Sequence, residues 1–100
     1  MNVVPMALAA QMQVAAAPGR AESLGVRPEN LRVGDGDAAE ITEVEPLGGF
    51  TTLGLTVAGT ALRATLRGQP KFTPGQRVGL TVDTGRAHFF DAGGAAIAAH

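Results

Sequence analysis

His88 and His100 are the sequence's two imidazoles, and either residue type could act as a general base or a metal ligand. A structural metal needs three or four donors. Around His88, in Ala87-His88-Phe89-Phe90-Asp91, the nearest candidate in sequence is Asp91. One imidazole with one carboxylate reads as a structural or surface histidine, not a metal site. The acidic run Asp35, Asp37, Glu40, Glu43, Glu45 raises calcium. An EF-hand loop needs oxygens at alternate positions, a central Gly and a final bidentate Glu. Asp35-Gly36-Asp37 does not continue that pattern, so the stretch is expected to be a solvated hairpin turn followed by the polar face of a strand. Ser23 is the only serine and lies in no nucleophile elbow. A threonine nucleophile would need an activating base, and nothing suggests one. There is no cysteine. No G-x-x-x-x-G-K-[ST] phosphate loop occurs in the chain, so ATPase chemistry is not expected of it. No catalytic, cofactor-binding or metal-ligating residue is assigned.

Arg63, Thr65 and Arg67, with Lys71 nearby, are expected on the outer face of one strand. Single-strand binders pair such a basic groove with aromatic stacking platforms. Here the aromatics are Phe50, Phe72, Phe89 and Phe90, and the apolar pattern around them points to the core. The net charge of -1 provides no general field for nucleic acid or anionic lipid. Nucleic-acid binding is therefore disfavoured.

The elements that must carry these residues are short. Turn signals recur at Pro18-Gly19, Gly34-Asp35-Gly36-Asp37, Gly48-Gly49, Gly59, Gly68-Gln69-Pro70, Pro74-Gly75, Gly85 and Gly93-Gly94. Such spacing is the rhythm of an all-β sandwich or barrel. Period-two alternation places Leu8, Ala10, Met12 and Val14 on one face, and likewise Leu53, Leu55 and Val57; Leu62, Ala64 and Leu66; and Val78, Leu80 and Val82. Ile41 and Val44 fall out of phase, and a β-bulge between them would return both to the core side. Helix is expected only as a single turn opened by Pro28. The Ala-rich ends, residues 7–17 and 95–100, are ambiguous because alanine favours helix.

One hundred residues, 45% hydrophobic and 17% charged, suit one small folded domain. Much of the apolar count is alanine, and there is no Trp or Tyr, so the core should be built from small aliphatic side chains. No apolar run approaches the roughly 20 residues that span a bilayer. Residues 1–18 are apolar but lack a basic start and are interrupted by Gln11 and Gln13, so they do not read as a signal peptide. A cytoplasmic location is the default expectation.

Three stretches in register resemble a known family. Leu24-Gly25-Val26-Arg27-Pro28-Glu29-Asn30-Leu31 is similar to the "LGIRPEHL" segment of ABC importer ATPases for sugars and related solutes. Val44-Glu45-Pro46-Leu47-Gly48 with Thr51 is similar to their "VE-x-LG-x-x-T" segment. Pro74-Gly75-Gln76-Arg77-Val78 followed by His88-Phe89-Phe90-Asp91 is similar to their closing "PG-x-x-V... H-x-FD" pattern. The chain thus resembles the C-terminal accessory, or TOBE, domain of the ATP-binding subunit, of the maltose or glycerol-3-phosphate importer type. That resemblance implies a small OB-like β-barrel with little helix. Met1-Asn2-Val3-Val4-Pro5 resembles the "MN-x-x-P" stretch that follows the nucleotide-binding domain, which implies a piece lacking its ATPase part. Residues 1–23 would then supply N-terminal strands, and residues 24–100 the TOBE domain.

The same resemblance implies a regulatory and dimerisation role. Accessory domains of two ATPase subunits pack together on the cytoplasmic side of the permease, peripheral to the inner face of the plasma membrane. ATP and magnesium would belong to the parent's nucleotide-binding domain, with no cofactor in this chain. The implied partners are a second copy in a weak homodimer, the nucleotide-binding domain, the permease subunits, and a regulatory protein or small-molecule effector. The motif positions carried over are Arg27, Pro28, Glu29, Glu45, Leu47, Gly48, Pro74, Gly75, His88, Phe90 and Asp91, with structural or interface roles. Pro28 would fix a turn, Gly48 a tight reversal and Pro74-Gly75 a hairpin, and Arg27 would pair with a carboxylate. The alternative is a small OB-like domain binding an oxyanion or sugar. Its relatives begin with an "S-x-R-N-x-L-x-G" motif that this sequence lacks.

Overall fold

Alternating apolar residues between closely spaced turns build strands, and the computed structural model consists almost entirely of them. It describes residues 1–9, 11–14, 19, 21–82 and 86–97, without the side chains of Gln13 and Val14. The order is β1 (Asn2–Pro5), α1 (Met6–Ala9), β2 (Gln13–Val14), β3 (Ser23–Val26), a 3-10 turn (Pro28–Asn30), β4 (Leu31–Pro46), β5 (Phe50–Val57), β6 (Thr60–Arg67), β7 (Arg77–Val82), β8 (Ala87–Phe90) and β9 (Ala96–Ile97). Two sheets form. A smaller one runs β1-β3-β8-β9 and a larger one β2-β7-β4-β5-β6, antiparallel throughout except for β2 against β7. The expected all-β, OB-like architecture with little helix is the one observed.

The alternation on β5, β6 and β7 falls as the sequence implies. Leu53, Leu55, Val57, Leu62, Ala64, Val78, Leu80 and Val82 are buried, with Leu66 partly buried beside them. They meet Val4, Leu24, Val26, Leu31, Ile41 and Phe89 in one aliphatic core. The bulge is also present. The β4–β5 register shifts between Ile41 and Glu43, so Thr42 is the extra residue, and Ile41 is buried while Val44 packs against the core.

The carboxamide of Asn2 ties the two sheets together. Its Oδ1 accepts the Arg63 N–H at 2.8 Å, and its Nδ2 donates to the Arg63 carbonyl at 2.8 Å. The amide thus imitates a paired peptide unit on β6, the edge strand of the larger sheet, where free backbone groups would otherwise invite another chain.

Three expectations are corrected. The Leu8-to-Val14 alternation is not one strand: Met6–Ala9 form a helical turn, and only Gln13–Val14 pair as a strand. Alanine's helical preference wins in this short segment, while the rest of residues 7–17 (Ala10 and 15–17) lies outside the described residues, as do His100 and Gly85. The stretch Gly34 to Asp37 is not a hairpin. β4 runs through it, and the β4–β7 register jumps from Gly34/Gly79 to Ala39/Val78, so residues 35–38 form a bulge that lies over Gly79 without reversing the chain. Pro74-Gly75 form a β-turn closed by the Gln76 N–H on the Thr73 carbonyl. That turn opens β7, which pairs with β4 instead of β6, so it is not a hairpin between neighbours.

The β5–β6 connection is a hairpin of two residues, Ala58 and Gly59, with φ of 47° and 86°. Positive φ at both positions matches the mirror-image turn that suits strand twist. Ala58 carries a Cβ into the left-handed region, which costs about 1 kcal/mol. Ala58→Asn, giving the favoured Asn-Gly pair, is expected to raise stability by about 0.5–1 kcal/mol in urea unfolding.

Candidate functional site

The motif positions lie on turns and on outward sheet faces, and they do not converge in a cleft. Arg27 precedes the 3-10 turn, and Pro28 sets its first residue. The Arg27 carbonyl accepts from the Asn30 N–H, while its exposed guanidinium has no carboxylate partner among the described residues. The expected ion pair is therefore replaced by a backbone role. Glu29 is exposed. Pro74 and Gly75 are exposed, and the Gly75 N–H donates to the Ile41 carbonyl, so this turn fastens β7 to the bulged part of β4.

Glu45, Leu47 and Gly48 lie at the tip of the β4–β5 hairpin. Gly48 has a φ of 88°, and the Leu47 N–H closes the reversal on the Phe50 carbonyl. The tip is braced from the side by the 68–69 segment. The Gly68 N–H donates to the Gly49 carbonyl, and the Gln69 amide donates to the Gly48 carbonyl. The buried Thr51 hydroxyl donates to the Gly68 carbonyl at 2.9 Å. The motif threonine is thus the bolt of this tip. Two large apolar side chains are left outside, Leu47 at 47% exposure and Phe50 at 45%. Phe50 departs from the expectation that all four phenylalanines face inward: Phe89 is fully buried, while Phe72 and Phe90 are partly so. Parity carries the signal that sequence reasoning missed. Phe50 is in phase with the outward Thr52 and Thr56, not with Leu53 and Leu55.

His88 and Phe90 belong to β8 in the smaller sheet. His88 pairs across Gly25 and is exposed, so it reads as the expected surface histidine. Gly25 is floored by Met1 and Phe90: a Cβ built there would lie 2.7 Å from Met1 Cε and 3.2 Å from the Phe90 ring. Met1 and Val3, at 61% and 56% exposure, extend this outer face into an apolar patch. Asp91 ends the strand. Its Oδ1 accepts from the Gly93 and Ala95 N–H groups at 3.0 Å each, which shapes the turn into β9. Its motif role is turn formation.

Two open depressions among the described residues are lined by none of the motif residues. One of about 260 Å³ lies between Glu43 and Arg63 over Gly54, with Asn2 at its rim, and another of about 160 Å³ lies beside Asp35, Gly36 and Asp37. Among the described residues no three histidine or carboxylate groups are grouped to hold a metal ion. No helix among them is long and apolar enough to cross a membrane.

The chain is a small β module that leaves the large apolar side chains of Met1, Val3, Leu47 and Phe50 on its surface. The family model described as the TOBE domain matches residues 24–90, and the chain belongs to that family. It is similar to an uncharacterized ABC transporter ATP-binding protein of Sinorhizobium fredii, 45% identical over 75 residues, covering 73% of this chain and 20% of that protein. It is 32% identical over 95 residues to the sulfoquinovosyl glycerol transport ATP-binding protein of Agrobacterium fabrum, covering 91% of this chain and 26% of the relative. A third relative, an sn-glycerol-3-phosphate import ATP-binding protein of the same organism, is 36% identical over 76 residues, covering 73% of this chain and 20% of its own length. The chain therefore spans about a fifth to a quarter of these relatives.

Proposed function

We propose that this chain is the C-terminal accessory domain of the ATP-binding subunit of a bacterial ABC importer for a sugar or related solute. In this reading it is a dimerisation and regulatory module without catalysis of its own. Residues 1–23 supply the entering strands and 24–100 the TOBE domain. The observation that carries the reading is the match over residues 24–90 together with relatives that are ABC transporter ATP-binding proteins. ATP and magnesium are then the business of the parent's nucleotide-binding domain, consistent with a chain that has no phosphate loop. The module works on the cytoplasmic side, peripheral to the inner face of the plasma membrane, beside permease subunits. A regulatory protein or small-molecule effector is a further partner in this reading, and the motif positions Arg27, Pro28, Glu29, Glu45, Leu47, Gly48, Pro74, Gly75, His88, Phe90 and Asp91 have structural or interface roles.

Self-association is the part of this role that the chain can display alone. Exposed large apolar groups at the β4–β5 tip and on the smaller sheet favour it, and a charged content of 17% is below the roughly 25% of typical soluble domains. A two-fold pair is the commonest closed solution. Sedimentation equilibrium from micromolar to millimolar chain is expected to show a reversible shift from monomer to dimer mass. A strictly monomeric chain across that range would overturn self-association by this domain alone, and the dimer role would then depend on the nucleotide-binding domain.

A further inference from the structure

The register of the larger sheet lines up an outer face whose charges are sorted by strand. Across β4, β5 and β6, Glu43, Gly54 and Arg63 share one row. Glu45, Thr52 and Thr65 share the next, and Leu47, Phe50 and Arg67 the row at the hairpin tip. Acid therefore occupies the β4 side, base occupies the β6 side, and β5 between them is uncharged. Among the described residues the side chains of Glu43, Glu45, Arg63 and Arg67 have no hydrogen bond or ion pair, although all four are exposed. Gly54 leaves a trough of about 260 Å³ between Glu43 and Arg63.

We infer that this face is the contact between two copies of the chain, turned about a two-fold axis lying along β5. This inference rests on the dimerisation reading above and names its surface. Rotation about that axis exchanges the β4 and β6 sides while keeping each row in place. Glu43 of one copy then faces Arg63 of the other, twice. Phe50 lies on the axis and meets its own counterpart, and Leu47 lies along the aliphatic stem of the other copy's Arg67. Gly54 faces Gly54 at the centre, with the exposed Thr42 side chain beside it, 3.0 Å from where a Gly54 Cβ would stand. A two-fold axis across the strands would instead set acid against acid, which specificity disfavours. Three strands and about eight residues give a patch of roughly 14 by 25 Å, about 350 Å² on each copy. That total of about 700 Å² is below the ~1,000 Å² of a stable interface, so the pair is weak and transient.

The test exploits the symmetry of the pairing. E43R and R63E are expected each to weaken self-association about tenfold or more in sedimentation equilibrium, because each places like charges opposite one another at both contacts. Mixed in equal amounts, they should associate as the unmodified chain does, since both contacts of the mixed pair regain opposite charges. The double variant E43R/R63E should recover too, while raised salt should weaken the unmodified pair. Recovery on mixing also excludes misfolding as the cause of each single loss. If the unmodified chain dimerises and the single variants dimerise equally well, this face is wrong while the dimerisation role stands. If the unmodified chain stays monomeric, self-association by this domain and this face fall together.

Discussion

Phe89→Ala is expected to lower the unfolding free energy by about 3–5 kcal/mol, the usual cost of emptying a fully buried aromatic site. Phe89 has 0% exposure and is the largest of the fully buried side chains. It stands on β8, inside the smaller sheet, opposite Leu24 on β3 and Ile97 on β9. Removing the ring opens a void among aliphatic neighbours that are themselves held by strand pairing and cannot close over it. A domain of this size has roughly 5–15 kcal/mol in total, so the variant stands near the edge of folding. Phe89→Leu keeps most of the volume and should cost less than about 1.5 kcal/mol. Phe50→Ala provides the contrast: it removes an exposed ring and should change stability by no more than about 0.5 kcal/mol. Urea unfolding with the slope checked for constancy measures all three. Equal losses for Phe89→Ala and Phe50→Ala would mean that the assignment of inner and outer phenylalanines is wrong.

That contrast shows where the sequence was legible. On β5, β6 and β7 the period-two pattern is carried by Leu and Val against Thr and Arg, so burial follows from alternation alone. The Ile41/Val44 break was readable as a bulge because only one extra residue reconciles the two phases. The single turn at Pro28 was readable because proline's fixed φ suits a first helical position. Phe50 is not legible from its aromatic type, because its phase with Thr52 and Thr56 places it on the outer face. At Ala7 to Val14 every apolar residue fits both a strand and a helix, and alanine has too little side chain to decide between them. The motif positions were legible as types of turn, yet their hydrogen-bond partners were not. The partner of Thr51 is a carbonyl 17 residues away, and that of Asn2 is a backbone unit 61 residues away. Such pairings depend on how two sheets meet, which no local pattern records.

The Gly34-to-Asp37 stretch departs furthest from what its residue types imply. Glycines and aspartates usually mark a reversal, but here the glycines serve close approach. The bulge folds back over β7, so a Cβ on Gly79 would overlap the Asp35 carbonyl oxygen and lie 3.1 Å from its carbon and 3.4 Å from Gly36 Cα. The exclusion is reciprocal, since a Cβ on Gly36 would lie 2.8 Å from Gly79 Cα. Every obstacle is backbone, so no side chain can rotate away. The bulge could relieve the overlap only by lifting. Arg77 opposes that movement: its Nε and Nη2 donate to the Asp37 carbonyl at 3.2 and 2.8 Å, and its Nη1 lies 3.8 Å from Glu40. Gly79→Ala is therefore expected to cost about 2–3 kcal/mol, a fall in Tm of roughly 10–20 °C for a domain of this size. Gly34→Ala is the control, because a Cβ there meets nothing within 4 Å, and its effect should stay within about 0.5 kcal/mol. Adding Arg77→Ala to Gly79→Ala should cost less than the sum of the two single changes, because a released bulge can make room for the methyl group. Thermal unfolding of the four variants tests the arrangement. If Gly79→Ala melts with Gly34→Ala, the bulge does not lie over β7, and the acidic stretch is the solvated turn that its residue types suggest.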